Sequence, residues 1–186
     1  MENKGYVLNE SQQAVVLKLA RTAIGEYLDS GRETTIPPDD FLKLPAGAFV
    51  TLKMDGELRG CIGYIEAVYP LGETLVKCAI ASAVHDPRFP ELRKGELEHV
   101  KIEVSVLSPV WQLKDPEEIE VGRHGIIISL GPYRGLLLPQ VATEQGWDRM
   151  TFLKHTCRKA GLPFDAWQNP SAKIEIFTAH VFGEEE

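Results

Sequence analysis

Residues 49–65 read FVTLKMDGELRGCIGYI: two runs rich in β-branched and apolar residues, Phe49 to Met54 and Glu57 to Ile65, separated only by Asp55-Gly56. Asp-Gly is the pair favoured where a two-residue hairpin needs positive φ, so the stretch predicts an antiparallel hairpin with LRGCIG on its second strand. Tight turns cannot join parallel neighbours, which need a crossover of a dozen residues or more. A hairpin here therefore argues for a largely antiparallel sheet and an α+β fold with flanking helices.

The flanking sequence agrees. Upstream, Ala14, Val15, Leu17, Leu19, Ala20, Ala23, Ile24, Tyr27 and Leu28 recur mostly at three- and four-residue intervals, which predicts an amphipathic helix over Asn9 to Ser30. Asn9 or Ser11 is its cap and Gly31 its terminator. Arg32 to Pro45, with three prolines, reads as an ordered loop. Downstream, Pro70 to His85 predicts a second helix with Leu71, Leu75, Cys78, Ala79 and Ser82 on one stripe. It stops at HDPRFP, where Asp86 precedes Pro87 and is pushed out of helical geometry.

Lys101 to Leu107 alternates in a strand pattern. Gly125 to Leu130 and Gly135 to Leu138 form a further hairpin around Gly131-Pro132, with the continuous apolar character of strands buried on both faces. His124-Gly125 reads as a turn with a left-handed glycine. Pro139 to Gly161 is mostly helical with a break near Gly146. A last strand over Lys173 to Phe182 precedes a tail, Glu184 to Glu186, expected to be solvated.

The whole is 186 residues and 20.7 kDa, enough for one substantial core or one divided into two unequal lobes, but not for two independent domains. A net charge of −7 disfavours binding to phosphate backbones or to an anionic membrane. The stretch MENKGYVLNESQQ lacks the apolar core of a signal peptide, and no run is long enough to span a bilayer, so a cytoplasmic protein is expected. Its three cysteines are then reduced thiols, and the absence of a C-x-x-C pair argues against a structural zinc.

The chemistry concentrates in two places. On a regular strand Arg59, Cys61 and Gly63 share one face, and a guanidinium near a thiol lowers its pKa, the usual route to a nucleophilic cysteine. Gly60 and Gly63 leave room for a bulge or for a ligand against the backbone. The competing reading makes Cys61 a small buried hydrophobe and Arg59 an ion-pair partner. At the HDPRF turn, His85 is a candidate base, Asp86 a proton acceptor and Arg88 a clamp for a carboxylate or phosphate, unless Asp86 and Arg88 merely bond the turn together.

Glu103 and Ser105 share a face of their strand and complete a polar cleft if that face adjoins LRGCIG. Gln140, Glu144, Trp147 and Asp148, in LPQVATEQGWD, are candidates to line a pocket. Cys78 and Cys157 fall on apolar helix stripes and read as core. No metal-ligand spacing, phosphate loop, dinucleotide fingerprint or nucleophile elbow is present, so no metal or cofactor is expected; a Cys61/His85/Glu103 metal site is the weakest of these readings.

LRGCIG followed in order by AVHDPRFP, EVSVLSP, GLLLPQVA and EQGW resembles the AMMECR family, whose microbial members are called protein A of the AmmeMemoRadiSam system. The resemblance covers nearly the whole chain. It implies one α+β domain of two unequal lobes, with the hexapeptide near the cleft between them. It also implies a partnership, at least genomic, with a Memo-type, dioxygenase-like protein and a radical SAM protein. The hexapeptide maps without a gap onto Leu58, Arg59, Gly60, Cys61, Ile62 and Gly63; His85 and Cys157 lie outside the matched motif positions.

Three functions follow. One is an enzyme or enzyme subunit with Cys61 as nucleophile, Arg59 and Arg88 holding an anionic substrate, and Asp86 or Glu103 moving protons. Another is a binding module that uses the same residues, with Gly60, Gly63, Ser105, Gln140 and Glu144 shaping the pocket for a small molecule. The third is a scaffold docking through Trp111 and Trp167. The acidic balance makes nucleic acid the least favoured ligand.

Overall fold

The computed structural model describes residues 7–185. Residues 1–6, within the stretch read for a leader, and Glu186, the end of the acidic tail, lie outside them.

The described chain forms two compact units, residues 7–107 with 180–185 and residues 108–179. The first holds α1 (Glu10–Ser30), the hairpin β1 (Ala48–Met54) and β2 (Glu57–Tyr64), α2 (Leu71–Val84) and β3 (Val100–Leu107). Asn9 caps α1 as expected: its side chain accepts the Gln12 N–H at 2.9 Å, while its own N–H donates to Gln12 Oε1 at 3.0 Å. Gly31 closes the helix in the left-handed region at φ 69°. Asp55 and Gly56, both at positive φ, make the tight turn of the hairpin.

Strand β1 pairs antiparallel with β2 on one side and β3 on the other. Val50, Leu52, Ile102 and Val104 form one core with Ala20, Ile24, Leu75 and Ala79 of the two helices, all 4% exposed or less. Along β1 and β3 the alternate residues Phe49, Thr51, Lys53, Lys101, Glu103 and Ser105 therefore lie on the opposite sheet face.

The second unit holds β4 (Trp111–Gln112), β5 (His124–Leu130), β6 (Tyr133–Leu137), α3 (Pro139–Glu144) and α4 (Arg149–Lys159). It also holds most of β7 (Lys173–Gly183), whose last residues belong to the first unit. Strand β5 lies between β6 and β7, and β4 adds to the other edge of β7, all antiparallel. Ile126, Ile127 and Ile128 are all buried, as their unbroken apolar run predicts, whereas β6 is half-buried at Gly135 to Leu137. The helical region breaks at Gly146, φ 64°, as expected. The mixed α+β class with an antiparallel sheet is thus the one read from the hairpin.

Two local expectations fail. The left-handed glycine is Gly122 at φ 87°, not Gly125, which sits inside β5 opposite Phe177. The acidic tail is not simply solvated: Glu184 accepts from Arg21 Nε at 2.6 Å and from the Ile102 N–H at 2.9 Å. Burial pushes its carboxyl up, but these partners outweigh that and hold it below its ordinary value. Among the described residues, no helix is long and apolar enough to cross a membrane.

Candidate functional site

Near the turn the hairpin pairs Met54 with Glu57 and Lys53 with Leu58, but then Leu52 with Gly60 and Thr51 with Cys61. Arg59 is the extra residue of a β-bulge. Past it the register has moved by one, so Cys61 stands opposite Thr51 on the helix-free face, rather than opposite Val50 on the core face. Three cross-strand rows result there: Leu58, Lys53 and Lys101; Cys61, Thr51 and Glu103; Gly63, Phe49 and Ser105. The sequence left open whether Glu103 and Ser105 adjoin the hexapeptide on the same face, and they do.

The bulge changes what Arg59 does. The expected Arg59–Cys61 pair is not formed. The buried guanidinium leaves the ladder and donates to the carbonyls of Pro90 (2.9 Å) and Glu91 (3.5 Å) and to Glu96 Oε1 (3.2 Å). Glu96 also accepts the Arg93 N–H at 2.8 Å, so Arg59 fastens the segment that follows the DPRF turn. Arg59 is thus the ion-pair partner of the competing reading rather than a neighbour of the thiol. Burial pushes the Cys61 thiol up; Thr51, whose Oγ1 lies 3.2 Å from Sγ, and the charge of Arg88 pull it down without winning, and Asp86 and Glu103 push it further up.

Asp86 and Arg88 close on the edge strand. Asp86, 5% exposed, accepts the Cys61 N–H at 2.9 Å and the Arg88 N–H at 3.1 Å. It also accepts from Arg88 Nε at 3.0 Å and Nη2 at 2.7 Å. Arg88 Nη2 in turn donates to the Cys61 carbonyl at 3.2 Å. The turn thus takes both outward backbone groups of Cys61, much as a further strand would. The Arg88 guanidinium, followed by the N–H donors, holds the Asp86 carboxyl well below the usual carboxylate range, against the opposing effect of burial. Asp86 and Arg88 thus bond the turn together, the alternative read from the sequence, and the carboxylate is favoured in its ionised form.

Glu103 forms an ion pair with Lys53 at 2.9 Å. Gly60 faces α2, where a Cβ would lie 2.1 Å from the Ser82 carbonyl oxygen; at Gly63 a Cβ would strike the Phe49 ring at 2.3 Å. Both glycines serve packing. Ser105 is 1% exposed. Gln140 and Glu144 belong to α3 of the second unit; Gln140 Oε1 is buried without a hydrogen-bond partner among the described residues and Glu144 is exposed. His85 caps the end of α2 with its ring 6.5 Å from that of Tyr27. Cys78 and Cys157 are core residues, and burial pushes the Cys78 thiol to about 12. Trp111 and Trp167 are half-buried against apolar core rather than displayed in loops.

Sequence reasoning missed Thr51 and Lys53, which carry the hydroxyl and ammonium of the face. An Asp-Gly hairpin predicts their nearness to the hexapeptide; only the bulge sets which residue each one meets.

The architecture defines a two-unit α+β protein whose polar face is built on a bulged edge hairpin. The AMMECR1 family model matches residues 17–182, and the chain belongs to that family. A Methanopyrus kandleri protein is 50% identical, over 98% of this chain and 93% of its own length. A Nanoarchaeum equitans protein is 46% identical, over 90% of this chain and 98% of its own. The crystal structure of an uncharacterized Pyrococcus horikoshii protein superposes with a TM-score of 0.87 at 46% identity, covering 91% of this chain and 90% of that one.

Proposed function

We propose that this chain is a recognition module for a small anionic ligand, with the Cys61–Thr51–Glu103 row and the exposed flank of Arg88 as the recognising surface. The observation that carries this reading is the economy of the Asp86–Arg88 turn. Its hydrogen bonds are spent on fixing the backbone of Cys61, while the Arg88 side chain stays 55% exposed and keeps donors for an incoming carboxylate or phosphate. The resemblance to AmmeMemoRadiSam proteins supports Memo-type and radical SAM proteins as the partners to which a bound ligand is presented. Three free thiols accord with a cytoplasmic setting.

A second reading is an enzyme or enzyme subunit with Cys61 as its nucleophile. In its favour are Thr51, whose hydroxyl lies 3.2 Å from the sulfur, and Arg88, whose charge also stabilises the thiolate.

Iodoacetamide alkylation of Cys61 across pH, read by mass spectrometry with Cys78 and Cys157 as internal controls, separates the two. The recognition reading expects a slow reaction at neutral pH. An apparent pKa well below the free-thiol value of about 8.5 overturns it in favour of the nucleophile. Affinity purification that retains neither kind of partner protein removes the partnership.

A further inference from the structure

Helix α4 carries Arg149, Lys154, His155, Arg158 and Lys159 and no carboxylate. Arg149 is spent on the Ile119 carbonyl, which its Nε reaches at 2.9 Å. Among the described residues, Lys154, Arg158 and Lys159 make no ion pair. The helix dipole favours Arg158 and Lys159 in the last turn. Lys154 lies a full turn earlier, at the i, i+4 spacing from Arg158 where like charges repel. The N-cap carboxylate of Asp148, held below its ordinary value by Thr151 and also by Lys154, offsets one of these charges and leaves Arg158 and Lys159 without an acidic counterpart on the helix. The helix therefore presents a positive strip that an external anion would neutralise.

Beside that strip stands an aromatic array. The Trp147 and His155 rings are stacked, 4.1 Å apart at 8°; Phe164 meets His155 edge-on at 5.5 Å, and the Arg158 guanidinium lies 5.0 Å from the centre of the Phe164 ring. Two hollows share His155 and Phe164. One, of about 490 Å³, is lined by Thr151, Lys154, Asp165, Trp167 and Gln168 besides these two; the other, of about 410 Å³, includes Trp147, Arg158 and Lys159. Volumes of this order suit small-molecule ligands. Trp167 adds a buried indole N–H with no hydrogen-bond partner among the described residues, a donor of the sort that proteins rarely leave unmet.

We propose that this face of α4 binds a mononucleotide-class ligand, a heteroaromatic ring bearing phosphate. The ring seats against His155 and Phe164, with Gln168 and Asp165 available to its polar edge. The phosphate meets Lys154, Arg158 and Lys159. Asp165 lines the first hollow together with Lys154, whereas the second, with Arg158 and Lys159, has no carboxylate in its lining, which orients the phosphate toward that side. The site belongs wholly to the second unit and is independent of the residues around Cys61. It also revises the charge argument: an overall net charge of −7 does not preclude a local cationic strip.

The test is an NMR titration of the intact protein with AMP, adenosine and inorganic phosphate, following the three tryptophan indole N–H resonances. With AMP the Trp147 and Trp167 signals shift saturably below about 1 mM while that of Trp111 stays in place, and adenosine and phosphate each bind more weakly. Lys154→Gln, Arg158→Gln and the half-exposed Phe164→Leu each weaken AMP about 10-fold, the loss of one charged or stacking contact. An unmoved Trp167 signal at 1 mM AMP, or unchanged affinity in all three folded variants, overturns the proposal. So does an oligoadenylate that binds 100-fold tighter than AMP, because the ligand would then be a strand.

Discussion

The carboxylate of Asp86 accepts the backbone N–H of Cys61 at 2.9 Å, which joins a turn at the end of α2 to the edge strand of the hairpin. Replacing Asp86 by Ala strands that N–H and the N–H of Arg88 at a site only 5% exposed. Because Arg88 is itself more than half exposed, its ion pair contributes little and the stranded donors dominate. A loss of about 2–3 kcal/mol is expected from urea unfolding, with Asp86→Asn costing less.

The same carboxylate sets an acid limit. Its folded pKa is depressed, so its contribution is full above the unfolded value of about 3.9 and fades as the pH falls below that. Unfolding midpoints measured from pH 7 down to pH 2 should decline below about pH 4, and the decline should be shallower in Asp86→Asn. An equal decline in both proteins would assign the acid limit to other carboxylates, such as Glu184.

Arg59 tests the bulge. Lysine retains the charge but not the planar fork that reaches Pro90, Glu91 and Glu96 together. Arg59→Lys should destabilise by about 2 kcal/mol and Arg59→Ala by about 3. Neither change should alter the pH profile of Cys61 alkylation, whereas Arg88→Gln should move it to higher pH. An alkylation profile that responds to Arg59→Lys would restore the expectation that Arg59 governs the thiol.

Gly60 tests how closely β2 lies on α2. An alanine Cβ would sit 2.1 Å from the Ser82 carbonyl oxygen, and backbone cannot yield as a side chain does. Gly60→Ala should cost about 3 kcal/mol or prevent folding. Gly56→Ala, at a φ of 80° but with open space around its Cβ, should cost only about 1 kcal/mol.

Glu184 ties the C-terminal segment to α1 through Arg21 and to β3 through Ile102. Glu184→Gln should lower stability by about 1–2 kcal/mol. Thermal melts of this variant and of Lys43→Gln, whose salt bridge is exposed and expected to contribute almost nothing, give the comparison.

Much of the architecture is legible in the residues because it depends on local signals. Asp55-Gly56 dictates a tight turn, Asn9 and Gly31 bound a helix whose apolar stripe is unmistakable, and alternation in Lys101 to Leu107 marks a half-buried strand. The candidate residues Cys61, Glu103 and Ser105 were also found by type and alternation. Their shared face was not, since the pairing of β1 with β3 bridges some 50 residues of chain that carry no local signal of register.

Sequence alone therefore determined the α+β class, the hairpin, the helices and the set of polar residues that deserve testing. Tertiary structure decided their roles. A single bulged residue at Arg59 shifts the ladder by one, and because side chains alternate with a period of two, that shift carries Cys61 from the core face to the Thr51 and Glu103 face. The same shift frees Arg59 to hold Glu96 and leaves Asp86 and Arg88 to grip Cys61. Whether a Gly-flanked strand bulges depends on what packs against it, here the Ser82 carbonyl of α2, and that contact exists only once the chain has folded.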